Sequence, residues 1–147
     1  KRILTTNRQL ERMVRLIDEM LDVSRINLGK LNMERLGMDI REILEETIGR
    51  FSVQLSSGGI DLDTDLPSGN WKLTGDRFRL EQVFSNIINN AIKYGGSKPI
   101  SIRLSRRENF ARIEFLDNGI GIGSEDRDRI FDRYERVGSA SNISGLG

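Results

Sequence analysis

Between residues 76 and 117 the hydrophobic period changes, and that change limits the fold more than any other feature of the chain. Leu80, Val83, Phe84, Ile87, Ile88 and Ala91 recur at helical spacing, whereas "ISIRLSRR" (100–107) and "FARIEFLD" (110–117) alternate around Glu108-Asn109. The first stretch reads as an amphipathic helix that Asp76 caps, that runs to Tyr94 and that Gly95-Gly96 stops; the second reads as a β-hairpin. Each has one apolar side, and the two bury those sides by packing together. An α+β sandwich with helices on one sheet face is therefore expected.

The flanking residues extend the pattern. "KLNMERLGMDI" suggests a short strand leading to Asp39, and Asp39 with Glu42 forms a capping-box pair ahead of Ile40, Ile43, Leu44, Thr47, Ile48, Phe51 and Leu55. A helix is expected over 40–57. Residues 56–59 read as a turn, "IDLDTDL" as a strand, 67–70 as another turn and "WKLTG" as the returning strand, so the strands are expected to be antiparallel. From Gly119 the chain is glycine-rich, with a helix expected from near Ser124. At the other end, Ile3, Leu10, Ile17 and Ser24 recur at sevens beside Met13, Val14, Met20, Leu21 and Leu28, with charged residues on the remaining faces. Residues 1–28 read as one long amphipathic helix, ended by Gly29, whose stripe is expected to pair with another helix or a second chain.

Composition removes several chemistries. The 147 residues hold 23 basic and 22 acidic side chains, a net charge of +1, so any anion site must be local and a nucleic-acid role is disfavoured. Neither cysteine nor histidine is present. Metal ligands must then be oxygens, and the chemistry must use a carboxylate as general base or do without one. No apolar run approaches a membrane span, so a soluble, cytoplasmic segment is expected.

On the helix after Asp76, Arg79, Gln82, Asn86, Asn90 and Lys93 share one stripe, with Asn86 and Asn90 one turn apart beside the apolar face. Asn89 falls on the flank and is expected to be solvated. Neutral amides suit a site that donates and accepts hydrogen bonds at fixed geometry, and an amide oxygen can complete a magnesium shell beside phosphates without adding negative charge. Taken alone, the stripe reads equally well as a solvated polar face. In "DNGIGI" (117–122), Gly119 and Gly121 allow close approach to a flat ligand and Asp117 can accept from an exocyclic amine, although Asp-Asn-Gly alone is a common turn. "IFDRYER" (130–136) and Gly145-Leu146-Gly147 follow.

In that order and spacing, the four stretches resemble the N box (76–95), G1 box (117–122), F box (130–136) and start of the G2 box (144–147) of sensor histidine kinases of two-component systems, whose catalytic domain has the Bergerat fold shared with gyrase-type ATPases. "RLIDEMLDVSRINLGKLNMER" is similar to the second helix of that family's dimerisation domain and the following linker. The resemblance implies ATP and Mg²⁺ as ligands, with Asn90 the metal ligand, Asn86 beside it near the phosphates, and Lys93 on phosphate oxygens. It implies that Tyr94 packs near the nucleotide and that Asp117 accepts from the adenine amine. Gly119, Gly121 and Ile122 would shape the adenine and lid entrance. Residues 119–147 would form the ATP lid, in which Phe131 is a packing anchor and Arg133, Gly145, Leu146 and Gly147 close over the phosphates, with Arg136 a further phosphate contact. Asn86, Lys93 and Arg133 would serve phosphoryl transfer.

The implied organisation is a second dimerisation helix at 1–30 and a catalytic ATP-binding domain at 31–147, a mixed sheet with helices on one face that is truncated at its C-terminal end. The implied partners are a second copy, joined through residues 1–28 with the missing first helix, and a response regulator, with no nucleic acid and no membrane contact in this segment. Any membrane anchor of the parent would lie elsewhere. Because no histidine is present, the phosphoryl acceptor must lie outside these residues. Two other readings compete: a non-catalytic nucleotide-binding and dimerisation module, and a gyrase- or MutL-like ATPase. The latter would want a water-activating carboxylate where Asn86 stands.

Overall fold

The computed structural model describes residues 32–131 and, within 1–31, positions 13, 17, 21, 22, 24–26 and 28–30. The chain divides into two compact units, residues 1–35 and 36–147. In the first, Met13, Ile17, Leu21, Asp22 and residues 24–26 are helical. The helix closes with paired bonds from Lys30 N–H to the Arg25 carbonyl at 2.8 Å and from Gly29 N–H to the Ile26 carbonyl at 3.0 Å, with Gly29 at φ +62°. This is the glycine-terminated motif that satisfies the last helical carbonyls. Met13, Ile17, Leu21 and Leu28 remain exposed within this unit.

The second unit runs β1 (Leu36–Asp39), α1 (Ile40–Ser57), β2 (Leu62–Asp65), β3 (Lys72–Gly75), α2 (Arg77–Tyr94), β4 (Ile100–Arg107) and β5 (Phe110–Asp117), followed by a 3-10 turn at Arg129–Phe131. Both helices start where an aspartate in extended conformation can accept an otherwise unpaired N–H: Asp39 from Arg41 at 2.9 Å and Asp76 from Arg79 at 3.1 Å. The expected helix bounds and hairpin strands coincide with the observed ones. In the Asp39 cap the bond runs to Arg41, one residue short of the Glu42 that a capping box would use.

Strand pairing departs from the expected antiparallel meander. β3 does not return along β2: it pairs antiparallel with β1, while β2 pairs parallel with β4, which pairs antiparallel with β5. The described strands thus form a two-stranded pair and a mixed three-stranded sheet ordered β2-β4-β5. The cause is burial. β4 turns Ile100, Ile102 and Leu104 inward at no more than 2 % exposure, so it occupies the centre and needs a neighbour on each side. α1 contributes Ile40, Ile43, Leu44 and Leu55 to the core, and α2 contributes Phe84, Ile88 and Ala91. Phe84 meets Phe115 of β5 with ring centroids 6.0 Å apart, fixing the helix over the sheet. Trp71 closes one end, its indole N–H donating to the Pro67 carbonyl at 2.8 Å.

α1 and α2 are also joined by charge. Arg77 bonds both Glu46 and Glu81, and Arg50 bonds Glu81 at 2.8 Å. Burial alone would raise the Glu81 carboxyl pKa, but the hydrogen bonds from Arg50 and Arg77 outweigh it and leave it lowered.

The helix expected near Ser124 is absent among the described residues. Residues 124–128 are turns and only Arg129–Phe131 is helical, of the tighter 3-10 kind. Asp126 accepts from both Arg129 and Ile130 N–H through its carbonyl, at 3.0 Å each. Residues 124–129 carry no apolar side chain that could hold a helical turn on the core.

Candidate functional site

The C-terminal end of α2 meets the loop that leaves β5, which brings two of the sequence motifs together. Ile120 N–H donates to the Tyr94 carbonyl at 3.3 Å, and the Asn118 side-chain amide donates to the Pro99 carbonyl at 3.0 Å. Between them, Gly119 packs so tightly that a Cβ would lie 2.5 Å from the Tyr94 oxygen and 3.0 Å from Gly95 Cα. Only glycine fits, and the surface that excludes a side chain there is the protein's own backbone. Gly121 differs, having open space around it but φ +69°.

Asp117 sits at the end of β5, opposite Ile100 at the start of β4. Its Oδ1 accepts from Gly119 N–H at 2.9 Å, which orients the carboxylate. The carboxylate is exposed, and its second oxygen can accept from a ligand donor.

Along α2, Asn90 and Asn86 lie one and two turns before Tyr94, about 6 and 12 Å at 1.5 Å per residue. Both are exposed. Asn89 is half-buried, more sheltered than either, which corrects the expectation that it is solvated. Its neighbours one turn away, Ser85 and Ile92, are half-buried too, and Ile92 packs against the core, so this flank of α2 is partly covered. Lys93 is half-buried, its ammonium 5.0 Å from the centre of the Tyr94 ring. Ile122 is 43 % exposed beside the glycine loop.

Arg133, Arg136, Gly145, Leu146 and Gly147 lie outside the described residues, as does the side chain of Phe131. Among the described residues, surface cavities occur at the far end of β5 from Asp117. One of about 600 Å³ is lined by Arg107, Phe110 and Arg112, and one of about 120 Å³ by Trp71, Arg106 and Phe110. Neither includes a motif residue. The site at α2 is open surface among the described residues, and its chemistry comes from placed amides and a carboxylate. No cluster of three or more acidic, histidine or cysteine ligands occurs among the described residues, so a metal here would share its shell with other oxygens such as phosphate.

Residues 75–147 match the model of the histidine kinase-, DNA gyrase B- and HSP90-like ATPase family. The chain is a member of that family. It is 30 % identical to sensor histidine kinase WalK of Bacillus subtilis over 99 % of its own length and 24 % of WalK. Its fold is similar to that of Acinetobacter baumannii histidine kinase AdeS, with a TM-score of 0.70 at 24 % identity over 80 % of this chain and 59 % of that one. It is also similar to histidine kinase ThkA, solved in complex with response regulator protein TrrA, with a TM-score of 0.72 at 21 % identity over 88 % of this chain and 38 % of that one. The chain therefore spans about a quarter of the curated relative's length. In this family member the mixed sheet under two helices is the fold's core, and no helix among the described residues is long and apolar enough to cross a membrane.

Asn118 and Ile120, which tie the glycine loop to the rest of the fold, were legible in the sequence only as part of a turn. The one available signal was that an asparagine beside the aspartate can donate as well as accept.

Proposed function

We propose that residues 31–147 are the ATP-binding catalytic part of a cytoplasmic two-component sensor histidine kinase, and that residues 1–30 are the second helix of its dimerisation domain. The observation that supports this best is the junction of Tyr94-Gly95 with Asp117-Gly119-Ile120, because it unites a base-reading carboxylate with an asparagine-bearing helix. That relatives such as WalK are histidine kinases favours phosphoryl transfer over the gyrase-like alternative, and the solved complex of ThkA with response regulator protein TrrA favours relay to a response regulator.

In this reading Asp117 accepts from the adenine amine through its free oxygen. Asn86 and Lys93 bind phosphate oxygens, and Asn90 supplies an amide oxygen to Mg²⁺. The donor set fits such a group: an exposed neutral amide adds a ligand without repelling the phosphates. When bound, Mg²⁺ would neutralise charge on the transferring phosphoryl group. The chain's own contribution is positioning and electrostatics, with Lys93 and the lid arginine Arg133 facing charge that develops during transfer. No residue here acts as nucleophile, and the acceptor is a histidine outside these residues. The exposed stripe of Met13, Ile17 and Leu21 suits pairing with a second copy in a helical bundle.

The test is to supply a separate histidine-bearing dimerisation domain with Mg-ATP and this chain, and to follow acid-labile phosphate on the histidine. Transfer supports the kinase reading. Binding of Mg-ATP without transfer to any such domain favours a nucleotide-binding module instead, and no calorimetric heat with ATP or a non-hydrolysable analogue overturns the site.

A further inference from the structure

We propose that Asn118 is a positioning residue for purine selectivity: by bonding Pro99 it fixes the glycine loop that aims the Asp117 carboxylate. The proposal rests on the nucleotide-binding reading above. Three consecutive residues tie this loop down. Asn118 donates through its side chain to the Pro99 carbonyl at 3.0 Å, Gly119 abuts the backbone of Tyr94 and Gly95, and Ile120 donates through its N–H to the Tyr94 carbonyl. Only the first tie depends on a side chain.

Its anchor is a tight piece of backbone. Gly96 and Ser97 are consecutive left-handed residues at φ +62° and +59°, and Lys98 N–H returns to the Gly95 carbonyl at 3.3 Å. Pro99 follows with its ring-fixed φ, and Ile100 N–H is held by the Asp61 carbonyl at 2.9 Å. A carbonyl placed this firmly makes the Asn118 bond a fixed strut between the α2–β4 turn and the end of β5.

The consequence reaches Asp117 through Gly119, whose N–H donates to Asp117 Oδ1 at 2.9 Å. Where the strut holds the Gly119 N–H, it also sets the direction of the free Oδ2. At position 6 adenine carries a donor amine and guanine an acceptor oxygen, so an Oδ2 held toward that position attracts one base and repels the other. A carboxylate free to swing loses the distinction, because it can turn to the ring N–H and 2-amino donors of guanine.

The test compares wild type, Asn118→Ala and Asn118→Asp in the full 147-residue chain. Calorimetry with Mg-ATP and Mg-GTP gives the selectivity ratio, and hydrogen exchange gives the opening of the Ile120 amide. Loss of one hydrogen bond predicts a fall in the ATP/GTP ratio of about tenfold in Asn118→Ala, with Ile120 exchange faster by a similar factor. Asn118→Asp keeps the shape but sets a carboxylate against the Pro99 carbonyl, and is expected to lose at least as much. A ratio within about twofold of wild type in both variants overturns the proposal. So does unchanged Ile120 exchange. A fall in Asn118→Asp alone assigns the effect to added charge and overturns it as well. Wild type that binds neither nucleotide instead overturns the nucleotide reading, and the selectivity role with it, while Ile120 exchange still reports whether the strut exists.

Discussion

The Tyr94 carbonyl receives the N–H of Ile120 at 3.3 Å, so the last residue of α2 and the glycine loop after β5 share a hydrogen bond across the candidate site. Gly119 sits inside that junction, where a Cβ would meet backbone atoms that cannot rotate away. Gly119→Ala is therefore expected to weaken Mg-ATP binding more than about tenfold and to lower stability by about 1–3 kcal/mol. Gly121→Ala meets no steric wall and is expected to lose about 1–2 kcal/mol from its left-handed φ alone. Calorimetry and urea unfolding of both variants check these values, and a Gly119→Ala variant that binds Mg-ATP as tightly as wild type would refute the steric account.

Asn90→Ala is expected to abolish the magnesium dependence of nucleotide binding, since it removes the amide oxygen assigned to the metal. Asn89→Ala is expected to keep that dependence, because residue 89 is half-buried on the flank, whereas Asn86 and Asn90 are exposed. Titrating ATP with and without Mg²⁺ decides between them, and loss in Asn89→Ala would reassign the ligand.

The Glu81 carboxyl makes stability depend on pH. Its folded pKa is lowered below the ordinary 4.5 by Arg50 and Arg77 against the opposing effect of burial. A depressed carboxyl stabilises the fold above its unfolded pKa, and that share is lost as pH falls from about 4.5 through the folded value. Glu81→Gln should be less stable at neutral pH and show a shallower acid limb, measured by thermal unfolding across that range. Parallel acid limbs in the two proteins would remove Glu81 from the account.

Ile102 is fully buried on the central strand, in one core with residues of α1 and α2. Ile102→Ala is expected to cost about 2–5 kcal/mol in chemical unfolding. Val53, 76 % exposed on α1, serves as the comparison, and Val53→Ala is expected to change stability by less than about 0.5 kcal/mol.

Residues 1–30 carry the expectation of pairing. Ile17→Lys, at an exposed helical position, should shift sedimentation toward monomer if that stripe joins two copies. An unchanged sedimentation profile would place dimer contacts elsewhere.

The amino-acid sequence by itself determined the elements: α1 and α2 with their aspartate caps, and the β4–β5 hairpin about Glu108-Asn109, stand where spacing and capping put them. These signals are local, because an amphipathic stripe and a cap involve residues within a few turns of one another. The four motifs likewise named the family from order alone. Only the tertiary structure decided that β3 joins β1 and that β2 runs parallel to β4, since pairing depends on which strand buries both its neighbours' edges, a property of distant residues. It also decided that Asn89 is sheltered and that the wall excluding a side chain at Gly119 is Tyr94's own carbonyl, because burial and close approach exist only once helix and loop have met.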